Sequence, residues 1–235
     1  MLRIISWRST TPGKCCLASG APMVHPRLRM KWERIKPLAQ VRPLWLVAVS
    51  IFAAGVINAL LVVVNTRLFL PFFFDSIFTA CAAALFGWLP GLLVGLWTNL
   101  AAEMMFGFPM TMLPFAVCNM STGLIIGLMA VRGSFRSGLQ ALIAVVLVTA
   151  SNSLLGSVIA TYMYGGITGS AAVDYVVVGL LATGRTVLSA AFLARIPANL
   201  VDKGIAVLAA FILLGWLSRK AGWPRGDRKS EAKPV

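Results

Sequence analysis

Residues 70–107 read LPFFFDSIFTACAAALFGWLPGLLVGLWTNLAAEMMFG. The stretch is apolar enough to leave water, yet it holds Asp75, Asn99 and Glu103, which hydrocarbon rejects unless they are paired or wetted. Its middle, Gly87-Trp88-Leu89-Pro90-Gly91, is a turn signature built from one proline and two glycines. The reading is a helical hairpin inside a membrane, with both carboxylates at its open end.

Working outward, the composition agrees. Hydrophobic residues make up 59% of the 235-residue chain and charged ones only 12%. A soluble domain of this length cannot hide that much apolar surface. Several stretches approach the twenty or so apolar residues needed to cross about 30 Å of hydrocarbon. The alternating ten-residue segments of a β-barrel are missing. The expected fold is all-α, a polytopic membrane protein with six transmembrane helices in a compact bundle. The spans are predicted near 44–66, 75–87, 90–106, 113–131, 138–163 and 197–217. Asp75-Ser76 is expected to cap the second. The segment 164–195 reads as a loop with helical pieces folded partly over the bundle.

Charge sets the expected orientation. Residues 1–43 carry nine Lys/Arg against Glu33, and residues 218–235 carry six against Asp227 and Glu231. Flanking a membrane core, such ends obey the positive-inside rule and do not read as a nucleic-acid footprint. Three parts follow: a basic leader (1–43), a membrane domain (44–217) and a basic cytoplasmic tail (218–235). Placing both termini in the cytoplasm of a cell (plasma) membrane requires an even number of spans. Six also puts Arg132 and Arg136 inside, with Arg67, Arg185 and Arg195 outside. The leader has no signal-peptide core; it is open between a transit-peptide composition, an over-long start ahead of Met23 or Met30, and an amphipathic approach to the membrane.

Catalytic chemistry finds little to work with. His25 is the one histidine, Cys15-Cys16 lie in the leader, and Cys81 and Cys118 sit in apolar helices as small hydrophobes. No metal site, cofactor, nucleophile set or phosphate-binding loop is expected, and the chain is not read as an enzyme. The polar residues instead collect at one depth. Asp75, Asn99, Glu103, Asn119, Asn199, Asp202 and Lys203 all fall in the outer half of their spans. Ionisable groups in spans usually face a bundle interior or a wet cavity. These seven are the candidate lining of an outward-facing pocket for a small polar molecule, with Trp97 as an aromatic wall. The bland alternative is mutual pairing, for example Glu103 with Lys203.

Here the residues carry a resemblance. Pro71, Asp75, Ser76, Gly87, Pro90, Gly91, Gly95, Thr98 and Asn99 look like the second and third helices of the substrate-binding S components of energy-coupling factor (ECF) transporters. The ending IPANLVDKGIAVLAAFILLGWLSRK, with Asn199, Asp202 and Lys203, is similar to their last helix. The match covers about residues 44–220, and Phe78 stands where relatives often have glycine. The resemblance implies a vitamin-like substrate captured from outside, with a transmembrane coupling protein and two cytoplasmic ATPases as partners beside the lipid bilayer. It also implies a coupling surface of small residues on the first helix, here Ser50, Ala54, Gly55 and Ala59, for which ordinary packing within the chain is the alternative. A membrane sensor module, or a scaffold binding only other helices, is the competing functional class.

Overall fold

The computed structural model describes residues 43–70 and 72–220, with side chains to Leu217. The leader, the tail beyond Lys220 and Pro71 therefore lie outside the described residues. Those residues form seven α-helices and no strand: α1 (Leu44–Arg67), α2 (Ile77–Phe86), α3 (Trp88–Met105), α4 (Ala116–Val131), α5 (Gly138–Tyr164), α6 (Ala171–Ala182) and α7 (Val187–Lys220). A 3-10 turn, Leu113–Phe115, leads into α4.

Among the described residues, four helical stretches are long and apolar enough to cross a membrane: Leu44–Arg67, Leu113–Val131, Gly138–Tyr164 and Val187–Leu217. Their outward faces carry bare Val49, Phe52, Leu60, Leu142, Val146 and Leu208. A protein in water rarely exposes so continuous an apolar surface. The 10-residue α2 and the 12-residue α6 are shorter, about 15 and 18 Å at 1.5 Å per residue.

The stretch 164–195 holds a helical piece, α6, and one expectation about the chain's end changes: α7 begins at Val187, ten residues ahead of the predicted start at 197. The cause is Pro197, which lies inside α7. Proline lacks the N–H that a helix interior uses and disfavours helix in the preceding residue, so it normally marks a boundary. Helices in membranes keep interior prolines because neighbouring groups re-satisfy the freed backbone.

The backbones of α3 and α4 approach each other closely. A Cβ on Gly95 would stand 2.7 Å from the backbone of Asn119 and Met120. Cβ atoms on Gly123 and Gly127 would run into the backbones of Gly91 and Trp88. Small residues thus let two backbones touch where lipid supplies no hydrophobic drive. At the α2–α3 turn, Gly87 adopts φ 98° and ψ −176°, a conformation that is essentially glycine's alone.

The α1 small face is used up inside the chain. Ala54, Gly55 and Ala59 are buried, and Gly55 packs against Trp97. Ser50 is half-buried and donates to Leu46 O at 2.8 Å. Of the two readings left open for these residues, the geometry matches packing within the chain for the first three. Trp97 is likewise part of that packing. It stacks on Phe52 with centroids 5.3 Å apart, and its Nε1 donates to Phe52 O.

Candidate functional site

Between α1 and α2 the chain runs unwound, so its backbone groups need partners that a helix would have supplied. Side chains provide them. Asn65 Nδ2 donates to Phe72 O (2.6 Å), and Phe74 N–H donates to Asp202 Oδ1 (2.7 Å). Asn119 Nδ2 donates to Asp75 O (2.8 Å), and Phe78 N–H donates to Asn58 Oδ1 (3.0 Å). The bond to Asp202 holds Phe74 in the left-handed region at φ 50°, and Phe69, whose N–H donates to Thr66 O, lies there too at φ 52°. A bulky residue there is strained by about 1–3 kcal/mol and persists only where its surroundings over-determine it.

The predicted cap of α2 does not form. Ser76 stands at the N-cap position without a side-chain capping bond. Instead the Lys203 ammonium receives both residues, lying 2.7 Å from Asp75 Oδ1 and 2.8 Å from Ser76 Oγ. It also lies 2.7 Å from Asp202 Oδ2. Lys203 is 1% exposed and Asp202 0%, so one cation is shared by two carboxylates away from solvent. Lys203 pairs with these two, and Glu103 is engaged elsewhere.

Glu103 ends α3 and is completely buried. Its Oε2 accepts from Met112 and Leu113 N–H, each at 2.7 Å, and its Oε1 accepts from Thr111 N–H at 3.2 Å. A carboxylate on the free N–H groups that open a helix satisfies both their hydrogen bonding and the dipole. Asn99 holds the same loop from the other side, donating to Met112 O at 2.8 Å. Replacing Glu103 with glutamine keeps the shape and removes the charge-assisted bonds. It is expected to cost about 2 kcal/mol, read as a lower unfolding midpoint in detergent.

A third loop is pinned similarly. Asp174, in the first turn of α6, accepts from Thr168 N–H (3.0 Å) and Gly169 N–H (2.8 Å). Arg195 Nη2 donates to Thr168 Oγ1 at 3.1 Å.

These three pinned segments and the helices beside them enclose a cavity of about 170 Å³. That volume holds on the order of ten waters, room for a small organic molecule. Four of the seven candidate residues line it: Asp75, Asn99, Asn199 and Lys203. The remaining three, Glu103, Asn119 and Asp202, stand behind the wall and hold its backbone. Phe69, Phe72, Phe73 and Phe115 supply broad apolar wall.

Arg195, Asn152, Asn65 and Thr168 also line the cavity and are not among the seven candidates. Asn152 Nδ2 bonds to Thr122 Oγ1 at 3.0 Å, and Asn199 Nδ2 to Ser153 Oγ at 3.0 Å. The polar run Thr149–Ser153 in the fifth span was the available signal for this wall. Among the described residues, no three His, Cys, Asp or Glu side chains converge as a metal ion would require. The chemistry on offer is recognition: hydrogen-bond donors and acceptors, one shared ion cluster and aromatic faces. No family model, curated protein or solved structure matches the chain.

Proposed function

We propose that this chain is the substrate-capture subunit of an ECF-type micronutrient importer, binding a small, vitamin-like polar molecule in the cavity. One observation carries the reading. Three unwound segments wall a cavity at one end of the helices, and each is held by a buried carboxylate or amide. A scaffold that only packs against other helices has no use for such a construction, which costs desolvation and gains a shaped, polar-tipped hollow.

The topology proposed with it has six spans, α1 to α5 and α7, with both termini cytoplasmic in the cell membrane. The unwound 72–76 stretch completes the crossing that α2 begins, as non-helical backbone does where it lines a cavity. The short α6 then lies at the cavity's outer mouth. A transmembrane coupling protein and two cytoplasmic ATPases are the partners in this reading, and transport follows from movement of the loaded subunit. A sensor would use the same cavity without those partners.

The test is ligand-dependent stabilisation of the purified protein against a panel of vitamins and their precursors. A compound at one hundred times its dissociation constant stabilises by about 2.7 kcal/mol. The expected result is one compound that does so, with Asn199→Ala removing the effect. Co-purification with ATPase subunits separates importer from sensor. A folded wild type that no compound stabilises would sink the reading.

A further inference from the structure

Among the residues lining the cavity, two fully buried side-chain atoms have no hydrogen-bond partner: Arg195 Nη1 and Asn65 Oδ1. The arginine is the more telling. It is 2% exposed, and among the described residues no carboxylate forms an ion pair with it. Nη2 is held by Thr168, and the guanidinium lies 5.8 Å from the centre of the Phe115 ring. Asp174 reaches it only through the Thr168 hydroxyl, which stands 3.4 Å from Asp174 Oδ1. Both Asp174 oxygens already accept backbone N–H groups. A buried guanidinium with an idle N–H carries a desolvation cost that an anionic acceptor would offset.

Resting on the capture-subunit reading, we propose that the ligand carries a carboxylate and that Arg195 receives it. A planar guanidinium suits a carboxylate well, and a charge-assisted bond in a shielded site is among the stronger polar contacts. The surroundings favour a single negative charge. Lys203 is already taken by Asp75 and Asp202, which leaves Arg195 as the lining cation without an ion pair among the described residues, enough to neutralise one negative charge and not two. The other end of the ligand is set by α7. Arg195 and Lys203 are eight residues apart, about 12 Å along the helix axis. At the Lys203 end lies Asp75, of which Lys203 takes Oδ1, and the cavity wall also holds Asn65 with its idle oxygen. A hydrogen-bond donor at that end completes the match, with an apolar middle against the phenylalanines.

The experiment compares acids with neutral partners of the same skeleton: nicotinate with nicotinamide, 4-aminobenzoate with 4-aminobenzamide, biotin with biotinamide, and pantothenate with pantothenol. Affinity is read from the stabilisation of the purified full-length protein. The expected result is at least one pair in which the acid binds about tenfold or more tightly, the worth of one charge-assisted hydrogen bond. Arg195→Gln should erase the difference by weakening the acid alone, while Arg195→Lys keeps part of it. Binding in which no pair prefers the acid, or an acid preference that survives in R195Q, overturns the proposal and leaves the capture-subunit reading standing. Should neither acids nor neutral compounds, nor any of the vitamin panel, stabilise the wild type, both fall together. The wild-type comparison decides even where R195Q does not fold.

Discussion

Lys203→Met is expected to destabilise the protein by about 3–5 kcal/mol, the usual cost of removing one partner from a buried ion pair. The ammonium contacts Asp75, Asp202 and Ser76, and Lys203, Asp202 and Ser76 are all shielded from solvent. Without it, Asp202 is a bare charge packed against Asp75. Methionine matches the stem's volume, so packing changes little and the loss reports on charge. The melting temperature in detergent should fall on the order of 10 °C. The double variant Asp202→Asn/Lys203→Met should recover a good part of this, because asparagine keeps an oxygen for the Phe74 N–H and carries no charge. A single variant that melts like the wild type would mean that the cluster is not the brace described above.

Gly123→Val should be comparably damaging for a different reason. Its Cβ would meet the carbonyl of Gly91 and stand 2.8 Å from Leu92 N, so backbone and not a flexible side chain is in the way. Two helices must part, and overpacking of this kind costs about 3 kcal/mol or more. The internal control is Gly204→Ala in α7, where an added Cβ meets nothing within 4 Å. Removing a helical glycine there should be neutral or stabilising by up to about 1 kcal/mol. Unfolding midpoints of the two variants, measured side by side, should move apart by several degrees. Equal midpoints would contradict the α3–α4 contact.

Much of this architecture is legible from residues alone, and the misses are of two kinds. Length and hydropathy delimit α1, α4 and α5, because a helix in lipid must be apolar throughout and its ends show. The glycines at 91, 95, 123 and 127 announce a close face. Depth also collects Asp75, Asn99, Asn199 and Lys203 at one level, where all four line the cavity. What depth cannot say is whether a polar group looks into a hollow or holds the backbone behind it. Glu103, Asn119 and Asp202 do the latter, and their partners are loop amides and carbonyls that any sequence possesses.

Arg195 shows the second kind of miss. Arg195, Asn199, Asp202 and Lys203 fall at i, i+4, i+7 and i+8, the spacing of one helical face. The pattern is plain once α7 runs through Pro197, but starting the helix at that proline leaves the arginine in a loop. Asn58 and Asn65 stand seven apart on the buried side of α1 and give the same signal, masked there by the apolar run of leucines and valines between them. The unwound 72–76 stretch was the least legible element, since the groups that hold it come from α1, α4 and α7.

That dispersion has a consequence for how the protein is made. The Lys203 ammonium and Asp202 carboxylate that hold Asp75 and Phe74 are encoded 128 residues downstream of them. A ribosome adding about 5–20 residues per second needs on the order of ten seconds to cover that interval. Throughout it, Asp75 lacks the counter-ion and Phe74 the acceptor that they have in the finished fold. The hollow is therefore a late product of biogenesis, finished when the last helix arrives. Chains cut short before α7 should be recognised by membrane quality control as carrying an orphan charge.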